Sequence, residues 1–128
     1  MNDNKINTDM LQLIFERQAG LDQFIAEQRP QLDWDMGLRL QKLAMALMVE
    51  TTEMVSETNY KWWKDPKEIN LPHIQEELVD ILHFFVSMCL ATGMDAKQLY
   101  STYMAKNQEN YDRQTGKSKK EGYVHKSE

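Results

Sequence analysis

The chain has 128 residues, 41% of them hydrophobic and 27% charged, with a formal net charge of −5. That length supports one domain with one core, and the acidic balance argues against a general nucleic-acid binder. With no run of about 18 apolar residues, no membrane contact is expected.

The polar start, Met1-Asn2-Asp3-Asn4-Lys5, lacks the apolar segment of a signal peptide. The single cysteine, Cys89, can form no internal disulfide, so a reducing, cytoplasmic setting is the expectation. After a lead-in of residues 1–8, Thr8 or Asp9 can cap a first helix that runs to about Gln28, with Pro30 marking its end. Its apolar face is Leu11, Ile14, Phe15 and Ile25. Gln18 and Asp22 project into the middle of that face, about 20° from the direction of Leu11. A core helix should carry Leu or Ile there. Either the two are hydrogen-bonded inside a bundle, or they line a pocket and read the edge of a polar ligand.

Residues 31–37 form a loop carrying Trp34, with Asp33 and Asp35 as candidate caps for a second helix from about Met36 to Asn59. Leu40, Leu43, Leu47, Thr51 and Met54 make its core stripe. Glu50 and Glu53 are three residues apart and share a face, with Glu50 about 20° from Leu43 and about 40° from Met54. Glu57 returns beside Glu50. The segment Tyr60-Lys61-Trp62-Trp63-Lys64 suits a flat ring plus phosphates, and equally an oligomer contact. Pro66 and Pro72 bracket a loop, and Pro72 fits the first turn of a third helix that ends at Gly93. In that helix Glu77 lies within about 40° of Ile81, Phe84 and Met88, and Asp80 is flanked by Phe84 and His73.

Two acidic pairs, Glu50/Glu53 and Glu77/Asp80, thus border apolar stripes. A single pair of this kind is usually a solvated helix face. Four carboxylates at the margin of a core repel one another and resist burial, and a hard divalent cation with oxygen ligands resolves the conflict. Mg²⁺ is the usual one where phosphates complete its shell.

Asp95 with Gln98 reads as a capping box for a fourth helix, about Ala96 to Arg113. Lys106, Asn110 and Arg113 recur on one of its faces, with Asn107 alongside. Such a cationic row suits a polyphosphate held against an acidic metal cluster, and equally a solvated, dipole-favoured helix end. The division expected is a domain of residues 1–113 and a flexible basic tail of residues 114–128, able to order over bound phosphates. No strand-like alternation occurs, so the fold class is all-α, a bundle of about four helices.

The order Glu-x-x-Glu, gap, Glu-x-x-Asp resembles the all-α nucleoside triphosphate pyrophosphohydrolases, the superfamily of MazG and the dimeric dUTPases. Gln18-x-x-Leu21-Asp22, Lys61-Trp62-Trp63-Lys64, Glu77-Leu78-Val79-Asp80-Ile81-Leu82-His83-Phe84 and Lys106-Asn107-x-x-Asn110-x-x-Arg113 point to the dimeric dUTPase branch, across about residues 14–123. The resemblance implies Mg-dependent hydrolysis of dUTP to dUMP and pyrophosphate. Glu50, Glu53, Glu77 and Asp80 would hold two or more Mg²⁺ ions, with Mn²⁺ as a substitute, and Glu53 would deprotonate the attacking water. Lys61, Lys64, Lys106, Asn110 and Arg113 would grip the phosphates. Gln18, Asp22, Trp62, Trp63, His83 and Phe84 would hold the base and sugar. A homodimer is implied, with a tetramer as the variant.

Two features depart from that pattern. Only 25 residues separate Asp80 from Lys106, where larger dimeric dUTPases insert a further helical segment. Asp22 stands where the family often has Asn. Three other readings remain open: a MazG-like enzyme for another nucleotide such as dCTP, a di-iron carboxylate bundle and a non-catalytic helical adaptor. The second rests on Asp80-Ile81-Leu82-His83 as a variant Glu-x-x-His and lacks the second copy such a site needs.

Overall fold

A computed structural model describes residues 9–124, which contain four helices and no strand. Helix α1 spans Met10–Gln28, α2 Met36–Ser56, α3 Leu71–Ala91 and α4 Ala96–Thr115. The chain divides into two compact units, one ending at Met94 and the other beginning at Asp95. The first holds α1, α2 and α3; the second holds α4 and the segment after it.

Each helix begins where a short polar side chain can satisfy free N–H groups. Asp9 accepts from Gln12 N, Asp35 from Leu38 N, Asn70 from His73 N and Asp95 from Gln98 N. Of the two aspartates offered for α2, Asp35 is therefore the cap. Pro72 sits in the first turn of α3 as expected. That helix closes on Gly93, whose φ of 82° only glycine adopts freely, with Gly93 N–H donating to Leu90 O and Met94 N–H to Cys89 O.

Helix α2 stops at Ser56, three residues short of the expected Asn59. Thr58 bonds back to Val55 O through both its N–H and its hydroxyl, tightening the last turn. Asn59 then leaves the helix to clamp the following loop. Its Nδ2 donates to Lys67 O at 2.9 Å, and Lys67 N donates to its Oδ1 at 2.9 Å.

In the first unit, α3 is the central helix, packed by α2 and by α1. The α2 stripe of Leu40, Leu43, Leu47, Thr51 and Met54 is half-buried throughout, as are Ile81, Phe84 and Met88 on α3. Helix α1 turns Phe15 and Gln18 inward, and both are buried. Ile14 and Ile25, expected on the core face, are instead about two-fifths exposed (40% and 39%). Gln18 and Asp22, by contrast, meet α3 through Ser87.

In the second unit, α4 ends at Thr115, two residues beyond the expected Arg113, with Gly116 left-handed at φ 81°. The segment after it returns onto the helix. Lys117 N and Ser118 N donate to Asp112 O, and Ser118 Oγ donates to Glu109 Oε1 at 2.7 Å.

Candidate active site

The acids of α2 and α3 converge. One carboxylate oxygen each from Glu50, Glu53 and Glu77 lies within 4.8 Å of the others. Helix geometry explains the gathering: Glu50 and Glu53 stack on one face of α2, and the packing of that helix on α3 brings Glu77 up to them. Glu77 is buried, and its Oε2 has no hydrogen-bond partner. Its Oε1 lies 3.5 Å from His73 Nε2, which also lies 3.5 Å from Glu57 Oε1.

Hydrogen bonding to Glu77, then desolvation and the charges of Glu77 and Asp80, raise the pKa of Glu50 above its ordinary value. Crowding of like charges of this kind is what a bound cation would relieve. An orphaned buried oxygen beside two further carboxylates fits a hard divalent cation well.

Asp80 is exposed and lies outside the three-carboxylate group, but it shares a pocket wall with Glu50. That pocket, of about 420 Å³, runs from these two acids to Gln18, Asp22 and Arg39, with Trp34 and Phe84 among its walls. His83 lines it as well. Its Nδ1 donates to Val79 O at 2.9 Å, since a carbonyl can only accept, which leaves Nε2 as the free ring nitrogen.

At the far wall Gln18 and Asp22 join α1 to α3. Gln18 Nε2 donates to Asp22 Oδ1 and to Ser87 Oγ, each at 3.0 Å, and Ser87 Oγ lies 3.0 and 2.9 Å from the two Asp22 oxygens. Arg39 Nη2 stands 3.7 Å from Asp22 Oδ2. The two alternatives posed by the sequence therefore coexist: the pair is hydrogen-bonded within the fold and also lines a pocket. Arg39, Ser87 and the site position of Trp34 were not anticipated. Ser87 lies seven residues after Asp80, on the same face of α3, as a lone polar residue in an apolar run; that was its available signal.

Trp62 and Trp63 stand elsewhere. They pack edge to face at 4.7 Å, are 86% and 61% exposed, and do not line the pocket. They share the clamped loop with Lys61 and Lys64, which line a separate depression with Lys67. On α4, Lys106 and Asn110 are exposed. Arg113 is engaged locally: its Nε donates to Glu109 Oε1 at 3.0 Å, and its guanidinium lies over the Tyr123 ring at 5.3 Å. The Ser118 hydroxyl and then Arg113 hold Glu109 below its ordinary pKa. Cys89 is buried and desolvation raises its thiol pKa, the opposite of what a nucleophilic cysteine requires.

Comparison with known proteins bears on this arrangement. The model of the dUTPase family matches residues 10–98. A dCTP pyrophosphatase of Enterobacteria phage LZ5 is 32% identical over 95 residues, covering 73% of this chain and 55% of the relative. A dCTP pyrophosphatase of Enterobacteria phage T4 is 44% identical over 41 residues, covering 32% of this chain and 24% of the relative. The chain thus spans about half the length of the first relative and about a quarter of the second as aligned. No solved structure matches the chain significantly.

Proposed function

The chain belongs to the all-α dUTPase family, and from this we propose that it is a metal-dependent pyrophosphohydrolase of pyrimidine deoxynucleoside triphosphates. Its products would be the nucleoside monophosphate and pyrophosphate. The family description supports dUTP as substrate, and the names of the phage relatives support dCTP. One observation carries the reading: a buried carboxylate with an orphaned oxygen, Glu77, gathered with Glu50 and Glu53 beside a pocket that ends in a polar wall.

Glu50, Glu53 and Glu77, with Asp80 at the pocket rim, would hold Mg²⁺. When bound, the metal supplies positive charge to the phosphate oxygens and makes a nearby water more acidic. The chain's own groups do the rest. Glu53 is the exposed member of the cluster, and it would accept a proton from the attacking water. Trp34 and Phe84 would flank the base, while Gln18, Asp22 and Arg39 meet its polar edge. Lys61 and Lys64 on the clamped loop would be cations for the phosphates. Self-association as a homodimer belongs to the same proposal.

The test is pyrophosphate release from a panel of deoxynucleoside and ribonucleoside triphosphates, with Mg²⁺ and with EDTA. Release from pyrimidine deoxynucleotides only with the metal is expected, with Glu53→Gln losing roughly 10²-fold or more in kcat. A folded Glu53→Gln protein with full activity would refute the assignment.

A further inference from the structure

We infer that the wall built by Gln18 and Asp22, fixed by Ser87 behind them, reads an exocyclic amino group, so that the pocket prefers a 4-aminopyrimidine base to a 4-oxo one. The inference rests on the reading of this pocket as a nucleotide site, and names the base edge it takes.

Beside a carboxylate, the Gln18 amide must present its nitrogen, since two facing oxygens would repel. Both hydrogens of that nitrogen are then committed, one to Asp22 Oδ1 and one to Ser87 Oγ. The single hydroxyl hydrogen of Ser87 goes to Asp22. Every donor on these three side chains is consumed within the network. What remains for a ligand is acceptors: Gln18 Oε1 and the unused lone pairs of the Asp22 carboxylate. Next to them Arg39 is a pure donor, 3.7 Å from Asp22.

A base that fits must offer two hydrogens to the acceptor wall and an acceptor to the guanidinium. The amino group at C4 of a cytosine-type base carries two hydrogens, and its N3 and O2 accept. A uracil-type base carries an oxygen at C4, which would face the carboxylate, and has only one N–H on that edge. Polar sites of this kind discriminate strongly, because the wrong base leaves acceptors opposed and unpaired. Gln18 and Ser87 are themselves buried, so neither can turn away to solvent to relieve the mismatch.

The experiment compares dCTP with dUTP on the full chain with Mg²⁺, by kcat/KM for pyrophosphate release and by the Kd of their non-hydrolysable α,β-imido analogues. A preference for the cytosine nucleotide on the order of 10- to 100-fold is expected. Asp22→Asn, which places a donor in the wall, should bring the ratio towards unity or invert it, acting chiefly on KM and Kd. Equal or uracil-favouring use of the two nucleotides by the wild-type chain overturns the inference while leaving the pyrophosphohydrolase reading intact. An unchanged ratio in a folded Asp22→Asn protein also overturns it. If neither nucleotide is hydrolysed and neither analogue binds, the pocket is not a nucleotide site and both readings fall. The wild-type ratio decides even where the variant does not fold.

Discussion

Glu77 is the residue whose environment makes least sense in a metal-free protein. Buried carboxylates are tolerated when paired, yet its Oε2 has no hydrogen-bond partner, and His73 at 3.5 Å from Oε1 stands against the crowding of Glu50 and Glu53. Removing the charge without changing the shape should therefore stabilise the metal-free chain. Glu77→Gln is expected to raise the unfolding temperature in EDTA by roughly 3–6 °C, the shift that ~1 kcal/mol produces in a domain of this size. The same substitution should abolish the further rise that Mg²⁺ gives the wild type. Scanning calorimetry in both buffers checks this, and a variant less stable than wild type in EDTA would mean that the carboxylate has a structural partner instead. Glu50 adds a pH dependence of definite sign. Its pKa is raised, so the folded chain binds its proton more tightly than the unfolded chain does. Its contribution to stability is therefore present in acid and lost as pH rises through and above the ordinary carboxylate range. The stability difference between wild type and Glu50→Gln in EDTA should fall over that window, and added Mg²⁺ should reverse the trend.

At the scale of elements, the loop after α2 depends on one side chain. Asn59 makes two hydrogen bonds to the backbone of Lys67, closing the segment that carries Lys61, Trp62, Trp63 and Lys64. Asn59→Ala should cost about 1 kcal/mol, since both bonds are exposed, and should open the loop to trypsin. If Lys61 and Lys64 bind phosphate, KM for the triphosphate should rise several-fold with little change in kcat. Unaltered proteolysis and KM together would remove the clamp from the account. This loop also marks where sequence legibility ended. Helix starts were readable because Asp9, Asp35 and Asp95 act locally, through N–H groups three residues on. The gathering of Glu50, Glu53 and Glu77 was readable because Glu50 and Glu53 stack within one helix, and the α2–α3 contact brought Glu77 up to them, leaving Asp80 outside. Asn59 was hidden because its partner lies eight residues away and is backbone, which leaves no trace in side-chain pattern. Ser87 and Arg39 were hidden for a related reason. Their roles arise only when α1, α2 and α3 meet, and periodicity within one helix cannot report which polar residue a neighbouring helix will face.

For the molecule as a whole, many large apolar side chains among the described residues are left exposed. Helix α2 has no fully buried residue, and Met45, Met48 and Val49 are each more than half exposed. A groove of about 680 Å³ between α1 and α3 is walled by Leu13, Ile14, Leu21, Val79 and Leu82, with Val79 at 52% exposure. Exposed apolar patches of this extent mark association surfaces, and a small domain gains the missing core by sharing it with a copy of itself. The expected outcome is a dimer or larger assembly at micromolar concentration by sedimentation velocity. Val79 faces the groove from α3, one residue before Asp80, so association there and the acidic cluster share a helix. Val79→Lys would place a charge in the apolar wall, where truncation of a central interface residue alone commonly costs about 1–2 kcal/mol or more. It should weaken association at least tenfold while helical content by circular dichroism is retained. If the wild type sediments as a monomer across the micromolar range, the groove serves some other purpose. If Val79→Lys associates as tightly as wild type, the copies meet elsewhere, and the exposed methionines of α2, beside Glu53, become the next surface to charge.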